Sequence, residues 1–266
     1  MPAQSPLFSF VIPNYNYGHY LGQCIDSCLA QDVDAEILVI DGDSTDDTLS
    51  VLKSYGDRVR WVSEKDRGQS DALNKGVAMA RGDFVAWINS DDYYAAGQPL
   101  QKIASRIKAE PELDIIYGDV DYVKASGELY RHRRSPLKLT AERVYVSPYQ
   151  TIVQPEVIFR RTLFTRVGGL NLDHHFAMDL DLWLKMLTHT HQTARVEATI
   201  ACARIHAQAK TREFIKKCLA EIDVVRSLYK HKISLSGWQT AQYGYYKAKA
   251  HLYERAVRSG LHRVPS

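Results

Sequence analysis

The chain has 266 residues, 45% hydrophobic and 24% charged, a balance that suits one globular domain with an appendage and argues against a disordered or fibrous protein. No apolar run approaches the roughly 18 residues that span a bilayer, and Met1-Pro2-Ala3-Gln4-Ser5-Pro6 lacks a basic segment followed by an apolar one, so a cytoplasmic location is expected. The net charge of +3 hides an asymmetry, because residues 207–266 carry 12 Lys/Arg against 4 Asp/Glu, which leaves 22 against 27 in residues 1–206. Cys24, Cys28, Cys202 and Cys218 show no CxxC and no histidine at zinc-site spacing, and are expected to be buried reduced thiols.

In chain order, Phe8 to Ile12 is a short apolar run ended by Pro13, and Glu36 to Ile40 is another ended by Asp41-Gly42; both fit buried strands. Between them Leu21, Ile25, Cys28 and Leu29 recur at helical spacing and predict one apolar face. Thr45 and Asp46 offer N-caps to a helix with Leu49 and Leu52 inward, and Val59 to Val62 starts a third strand. A helix carrying Ala72, Leu73, Val77 and Ala80 stops at Gly82 and leads into the strand Asp83 to Ile88. Strands alternating with single helices predict a parallel sheet with right-handed crossovers. Beyond Pro111 the pattern is mixed: 115–119, 128–131 and 157–159 read as strands, and 180–187, 211–232 and 238–258 as helices.

Acids follow two of these strands. Asn89-Ser90-Asp91-Asp92 comes directly after the 83–88 strand, where ligands of open α/β sheets bind, and carboxylates are ligands that Mg²⁺ or Mn²⁺ takes when a diphosphate completes its shell. Two acids in such a turn are also common as solvated or capping residues. Asp41 at the end of the second strand can accept hydrogen bonds from a base or ribose, while Ser44 to Asp46 read as helix-capping residues. Neither G-x-G-x-x-G nor a P-loop follows any early strand, so a metal is expected to carry phosphate charge. Asp179 opens a helix whose buried face is Leu180, Trp183, Leu184 and Leu187; it is either a helix cap or a general base, and Asp181 is open to the same two roles. His174-His175 sits in the loop before that helix and reads as a pocket-shaping or simply exposed pair rather than as metal ligands.

Over residues 7 to about 210 the chain resembles the family 2 glycosyltransferases of the GT-A fold. The segments that carry the likeness are Val11 to Asn16, Val39 to Asp46, Ser63 to Gly68 with Asp71 to Gly76, Ala80 to Asp83, Asn89 to Asp92, Tyr117 to Asp119, Phe159 to Arg161, Gly168-Gly169, Asp179 to Leu182, and Arg204 to His206. None is specific alone; their order and spacing together are. The resemblance implies a Rossmann-like, mostly parallel central sheet flanked by helices, with a catalytic domain over 1–206 and a basic helical extension over 207–266. It also implies inverting, metal-dependent transfer from a nucleotide-diphosphate sugar, with UDP the expected nucleotide and Mn²⁺ or Mg²⁺ the cofactor. By the same likeness Pro13, Tyr15, Asp41, Arg67 and Asp91 contact the nucleotide, Asp92 and His206 meet the metal or diphosphate, and Asp179 is the base. Many relatives carry Asp where this chain has Asn89.

The acceptor expected from the resemblance is a growing surface glycan or a lipid-linked saccharide. Basic residues of the extension precede Trp238, Tyr243, Tyr245, Tyr246 and Tyr253, a composition that fits either the inner face of an anionic membrane or a second subunit. Two other functions share much of this pattern: a catalytically silent sugar-nucleotide-binding module, and a sugar-phosphate nucleotidyltransferase. The latter needs a Gly-rich, Arg-containing loop after the first strand, where this chain has Asn14-Tyr15-Asn16-Tyr17. Arg131-His132-Arg133-Arg134 and the basic tail belong to no nucleic-acid module, so no nucleic-acid partner is expected.

Overall fold

The computed structural model describes residues 5–147, 151–206 and 215–258. Nine strands form one sheet in the order β3-β2-β1-β4-β8-β6-β9-β5, with β7 beside β6. They are β1 (Phe8–Asn14), β2 (Ala35–Asp41), β3 (Arg60–Ser63), β4 (Phe84–Trp87), β5 (Tyr93–Tyr94), β6 (Ile115–Lys124), β7 (Leu129–Arg133), β8 (Val157–Arg160) and β9 (Thr193–Ile205). The first four pair in parallel, β8 enters antiparallel between β4 and β6, and β9 returns parallel to β6. Thus β1 to β4, β6 and β9 point one way, and their carboxyl ends share one edge.

The helices are α1 (Gly18–Leu29), α2 (Thr48–Ser54), α3 (Gln69–Met79), α4 (Pro99–Ala109), α5 (Ala141–Val146), α6 (Arg161–Arg166), α7 (Met178–Leu187), α8 (Ile215–Tyr229) and α9 (Gly237–Arg258). The strand-helix alternation places α1, α2 and α4 on one face, where Leu21, Ile25, Leu52, Leu100 and Ile103 pack on Phe10, Ile12 and Val39. On the other face α3, α5, α6, α7 and α8 cover Val11, Leu38, Val85 and Trp87. Burial on both faces is why these strands are continuous apolar runs rather than alternating ones. Gly76 lets α3 lie against β1, because a Cβ there would run into the Val11 side chain and come within 3.1 Å of Ile40 Cγ1.

Several sequence expectations change in detail. Pro13 lies inside β1 and does not end it; β4 pairs only as far as Val11, so the missing N–H of Pro13 falls beyond the last β1–β4 pair. Leu29 is exposed, and Cys24 takes its place on the buried face of α1. The N-cap of α2 is Asp47, not Thr45 or Asp46; the Asp46 carboxylate instead accepts from the amides of Thr48 at 3.0 Å and Gly18 at 2.8 Å, tying α2 to α1. All four cysteines are buried.

The expected appendage is in part core. Cys218, Ile222, Val225 and Tyr229 of α8 are buried in the same cluster as Leu180, Trp183 and Leu184 of α7. Arg226 donates to the carbonyls of Tyr145 at 2.8 Å and Val146 at 3.0 Å, closing the C-terminal turn of α5. Residues 207–214 and 259–266 of that expected extension lie outside the described residues. Among the described residues no helix is long and apolar enough to cross a membrane.

Candidate active site

Register builds the first wall of the site. Asn14 stands opposite Asp41, and Asp41 opposite Ser63, so three polar residues form a row across the ends of β1, β2 and β3. Asp41 is fully buried. Its Oδ1 accepts from Asn14 Nδ2 at 2.9 Å and Ser44 Oγ at 2.5 Å, and its Oδ2 from the Ser44 amide at 3.0 Å and Ser63 Oγ at 2.6 Å. Four donors fill the acceptor positions of a carboxylate. Asp41 thus pins the ends of β1, β2 and β3 together.

What faces outward on this wall is the set around it. Tyr15 is 59% exposed directly after β1. A Cβ at Gly42 would lie 2.9 Å from Asp66 Oδ2 and 3.3 Å from the Tyr15 ring, so the missing side chain lets both groups lie close against the Gly42 backbone. Asp66 accepts from the Gly68 amide at 2.7 Å, and burial, with the nearby charges of Asp71 and Asp41, pushes its carboxyl above the usual range. Arg67 is largely exposed at the rim, paired with Asp71 at 3.3 Å. Pro13 is buried in β1, behind Tyr15.

The second wall is the turn after β4. Asn89 Oδ1 accepts from Gln69 Nε2 at 2.7 Å and from Trp87 Nε1 at 3.0 Å, which fixes Asn89 to the start of α3. The two acids that follow are treated differently. Asp92 is buried and accepts from the Arg204 amide at 2.8 Å, and desolvation together with the adjacent Asp91 charge pushes its carboxyl well above the ordinary range. Asp91 is less buried, and its Oδ2 lies 2.9 Å from His206 Nε2. The geometry thus divides the pair: Asp91 meets His206, while Asp92 anchors β9 through the Arg204 amide.

Arg204 locks this wall. Its guanidinium donates to the Asp91 carbonyl at 2.8 Å, the Ala125 carbonyl at 2.8 Å and Gln23 Oε1 at 2.6 Å, and it lies over the rings of Tyr20 at 4.6 Å and Tyr93 at 5.3 Å. A planar fork can join three segments at once, which a lysine cannot. His206, 4% exposed, packs edge-on against Tyr17 and beside Tyr20, and its Nδ1 is buried with no hydrogen-bond partner.

The helix that begins beside Asp179 is linked to this wall through α3. Gln69 holds Asn89, and the next residue, Ser70, donates to the His174 carbonyl at 3.1 Å and lies 3.0 Å from Met178 Sδ, at the start of α7. Asp179 is half-buried; Oδ1 accepts from the Leu180 amide at 2.7 Å. Desolvation raises its pKa to about 6, with a smaller contribution from the Glu221 charge, against the lowering effect of the backbone amides. Asp181 is accounted for structurally: buried, it meets Lys185 Nζ at 2.7 Å and accepts from Tyr229 OH at 2.7 Å. His174 is buried and His175 exposed, and among the described residues no three or more His, Cys, Asp or Glu side chains are grouped to hold a metal ion.

The donor set of this edge fits a divalent cation that keeps substrate oxygens in its shell. Such ions take one or two protein ligands beside phosphates, and here a carboxylate and an imidazole with one unpartnered buried nitrogen stand together. Sequence reasoning missed Arg204, Gln69, Tyr20 and Glu221 as individual residues. For Arg204 a signal existed: the strand that carries it alternates Ala194, Val196, Ala198, Ile200 and Cys202, a period-2 pattern that was not read.

Chains with this sheet order and acid-lined edge form the GT-A-like glycosyltransferase class. The model of glycosyl transferase family 2 matches residues 9–168, and the chain belongs to that family. Among curated relatives, an uncharacterized glycosyltransferase of Rickettsia felis is 27% identical over 86% of this chain and 39% of its own length. A PGL/p-HBAD biosynthesis glycosyltransferase of Mycobacterium bovis is 28% identical over 70% of this chain and 71% of its own. The chain spans well under two thirds of the length of the rickettsial relatives, 39% and 21% in two of them. Among solved structures, the mannosyltransferase PcManGT from Pyrobaculum calidifontis, in complex with GDP-Man and Mn²⁺, superposes with a TM-score of 0.66 at 19% identity, covering 94% of this chain and 71% of that one. S. aureus TarS 1-349 in complex with UDP-GlcNAc gives 0.63 at 19% identity, covering 92% and 72%. These likenesses are of fold.

Proposed function

We propose that the chain transfers a sugar from a nucleotide-diphosphate donor to an acceptor hydroxyl with inversion, Asp179 acting as base. The observation that carries this is Asp179 itself: a carboxylate at a helix start, raised to about 6, on a helix whose first turn is tied by Ser70 to the start of α3, beside the Gln69 that holds the turn of Asp91. A base in that range is ionised at neutral pH yet a better proton acceptor than an ordinary carboxylate. Inversion needs a single in-line displacement, so no enzyme nucleophile is required. The Asp179 oxygen not held by Leu180 takes the acceptor proton as the hydroxyl attacks the anomeric carbon, and the nucleoside diphosphate departs.

Asp91 and His206 would hold a Mn²⁺ or Mg²⁺ ion, which when bound stabilises charge on the departing diphosphate. Tyr15, with Gly42 and Asp66 behind it, forms the surface offered to the nucleoside, and Arg67 sits at its rim as a diffuse positive charge. Asp41 and Pro13 shape that surface from below. The PcManGT and TarS structures are complexes with GDP-Man and UDP-GlcNAc respectively, and a UDP-linked hexose or N-acetylhexosamine is the donor we infer here. The acceptor we infer is a glycan or lipid-linked saccharide, with the protein at the cytoplasmic face of a membrane.

Trp238, Tyr245 and Leu252 are exposed at spacings of seven on α9, forming one line along it. This line is the surface for membrane or subunit contact; sedimentation with anionic liposomes and light scattering without them separate the two. The function is tested by a screen of UDP-, GDP- and dTDP-sugars with Mn²⁺ or Mg²⁺. Metal-dependent release of nucleoside diphosphate supports the transferase; binding without release in every case, with and without acceptor sugars, points to a silent binding module.

A further inference from the structure

Ala177, the N-cap of α7, has no side-chain group that can accept from the free amides of a helix start. That task is done from another helix. Glu221 of α8 places Oε1 2.7 Å from both the Phe176 and the Ala177 amides, the turn that immediately precedes Asp179. The helix that supplies it is itself fixed: Arg226 grips the carbonyls at the end of α5, Tyr229 donates to Asp181 at 2.7 Å, and Cys218, Ile222 and Val225 are buried. These residues fall on one face of α8, so the carboxylate is held by a braced element rather than by a mobile side chain on the surface.

We propose that Glu221 is a positioning residue for the transfer, tying the 176–177 turn so that α7 presents Asp179 to the acceptor hydroxyl. The proposal rests on Asp179 being the base. It assigns to α8, which lies outside the span matched by the family model, a part in the active site. An anion at a helix N-terminus is favoured by the helix dipole, so Glu221 stabilises the start of α7. The same negative charge opposes ionisation of Asp179, adding to the larger effect of burial. The other titratable groups around this helix start are His174 and His175 in the preceding loop, and Asp181, which is paired with Lys185 and Tyr229.

Three full-length variants test it. Glu221→Gln keeps an oxygen for the two amides and removes the charge; Glu221→Ala removes both; Glu221→Asp keeps the charge but withdraws the oxygen by one methylene. Thermal midpoints establish folding, carbon-13 carboxyl NMR follows Asp179, identified by the signal lost in Asp179→Asn, and turnover is measured on the donor found by the screen. Expected are a lower Asp179 midpoint in Glu221→Gln with turnover near wild type, and at least a tenfold loss of kcat at unchanged donor KM in Glu221→Ala. Glu221→Asp is expected to lose kcat likewise, and replaces Glu221→Ala should that variant not fold. Unchanged kcat in the folded Ala or Asp variant overturns the proposal whatever the titration shows. Near-full turnover by Asp179→Asn would instead remove the base assignment, and the Asp179 midpoint in Glu221→Gln still shows whether Glu221 acts on that carboxylate.

Discussion

Asp41 at the end of β2 and Asp91 in the turn after β4 are the same residue type at the same topological place, yet the fold uses them in opposite ways. Asp41 is saturated by Asn14, Ser44 and Ser63 and is closed to solvent, whereas Asp91 meets one imidazole and keeps 21% of its side chain exposed. The difference repeats on α7, where Asp181 is paired on both sides and Asp179 is bonded only to backbone. An acid whose acceptor positions are filled by its own chain acts on stability. An acid left partly open is available for chemistry.

Breaking the open members should damage function and spare the fold. Asp179→Asn is expected to lower turnover by roughly 10²- to 10⁴-fold, the usual range for a general base, with nucleotide affinity and thermal midpoint nearly unchanged. Near-equal damage from Asp181→Asn without loss of stability would erase the distinction drawn on this helix. Next in size, Asp91→Ala should cost about 10-fold to 100-fold in Mn²⁺-dependent UDP or GDP affinity by calorimetry, a loss expected of a removed metal contact. If Asp92→Ala shows that loss without destabilisation while Asp91→Ala binds normally, the two acids have been assigned the wrong way round.

Breaking a closed member should do the reverse. Asp41→Ala takes the acceptor from the Ser44 amide and hydroxyl and from Ser63, leaving Asn14 only its bonds to Ser44 and Thr48, and is expected to cost roughly 2–4 kcal/mol in urea unfolding. Full stability in that variant would show that the row across β1 to β3 is not a structural pin. A pH series sharpens the open class further. The Asp179 carboxyl, folded, titrates near 6, above its unfolded value, so the folded state holds the extra proton between the two. Its contribution therefore favours folding at low pH and is lost as pH rises through about 6, while turnover rises through the same window because the ionised form is the base. In Asp179→Asn both trends should vanish. The smallest effect is at Asp43, an exposed non-glycine residue at φ 68°, where Asp43→Gly is expected to change stability by less than about 1 kcal/mol, in the stabilising direction.

Much of the framework was legible because it depends on local pattern. The runs at 8–12, 36–40 and 83–88 gave β1, β2 and β4, and the acids after β4 fell at the sheet edge as the rule for open α/β sheets predicts. Less legible were β9 and α4. Ala194 to Cys202 alternates with Arg, Glu, Thr and Ala, so its apolar signal is thin, and α4 follows a two-residue strand with its N-cap, Gln98, left-handed. Missing β9 meant that Arg204 and His206 were seen only as a short motif, with no account of what brings them beside Asp91.

The sequence by itself determined the strand-helix alternation, the family, and the list of acids that stand near strand ends, because each follows from residues close together in the chain. Which acid is pinned and which is open was decided only by tertiary structure. The donors that fill Asp41 come from β1, β3 and the loop after β2, the partner of Asp91 lies 115 positions away, and the carboxylate that caps the turn before Asp179 comes from a helix that composition had set apart as an appendage. Hydrogen-bond saturation and burial are properties of the assembled edge, and no local pattern encodes them.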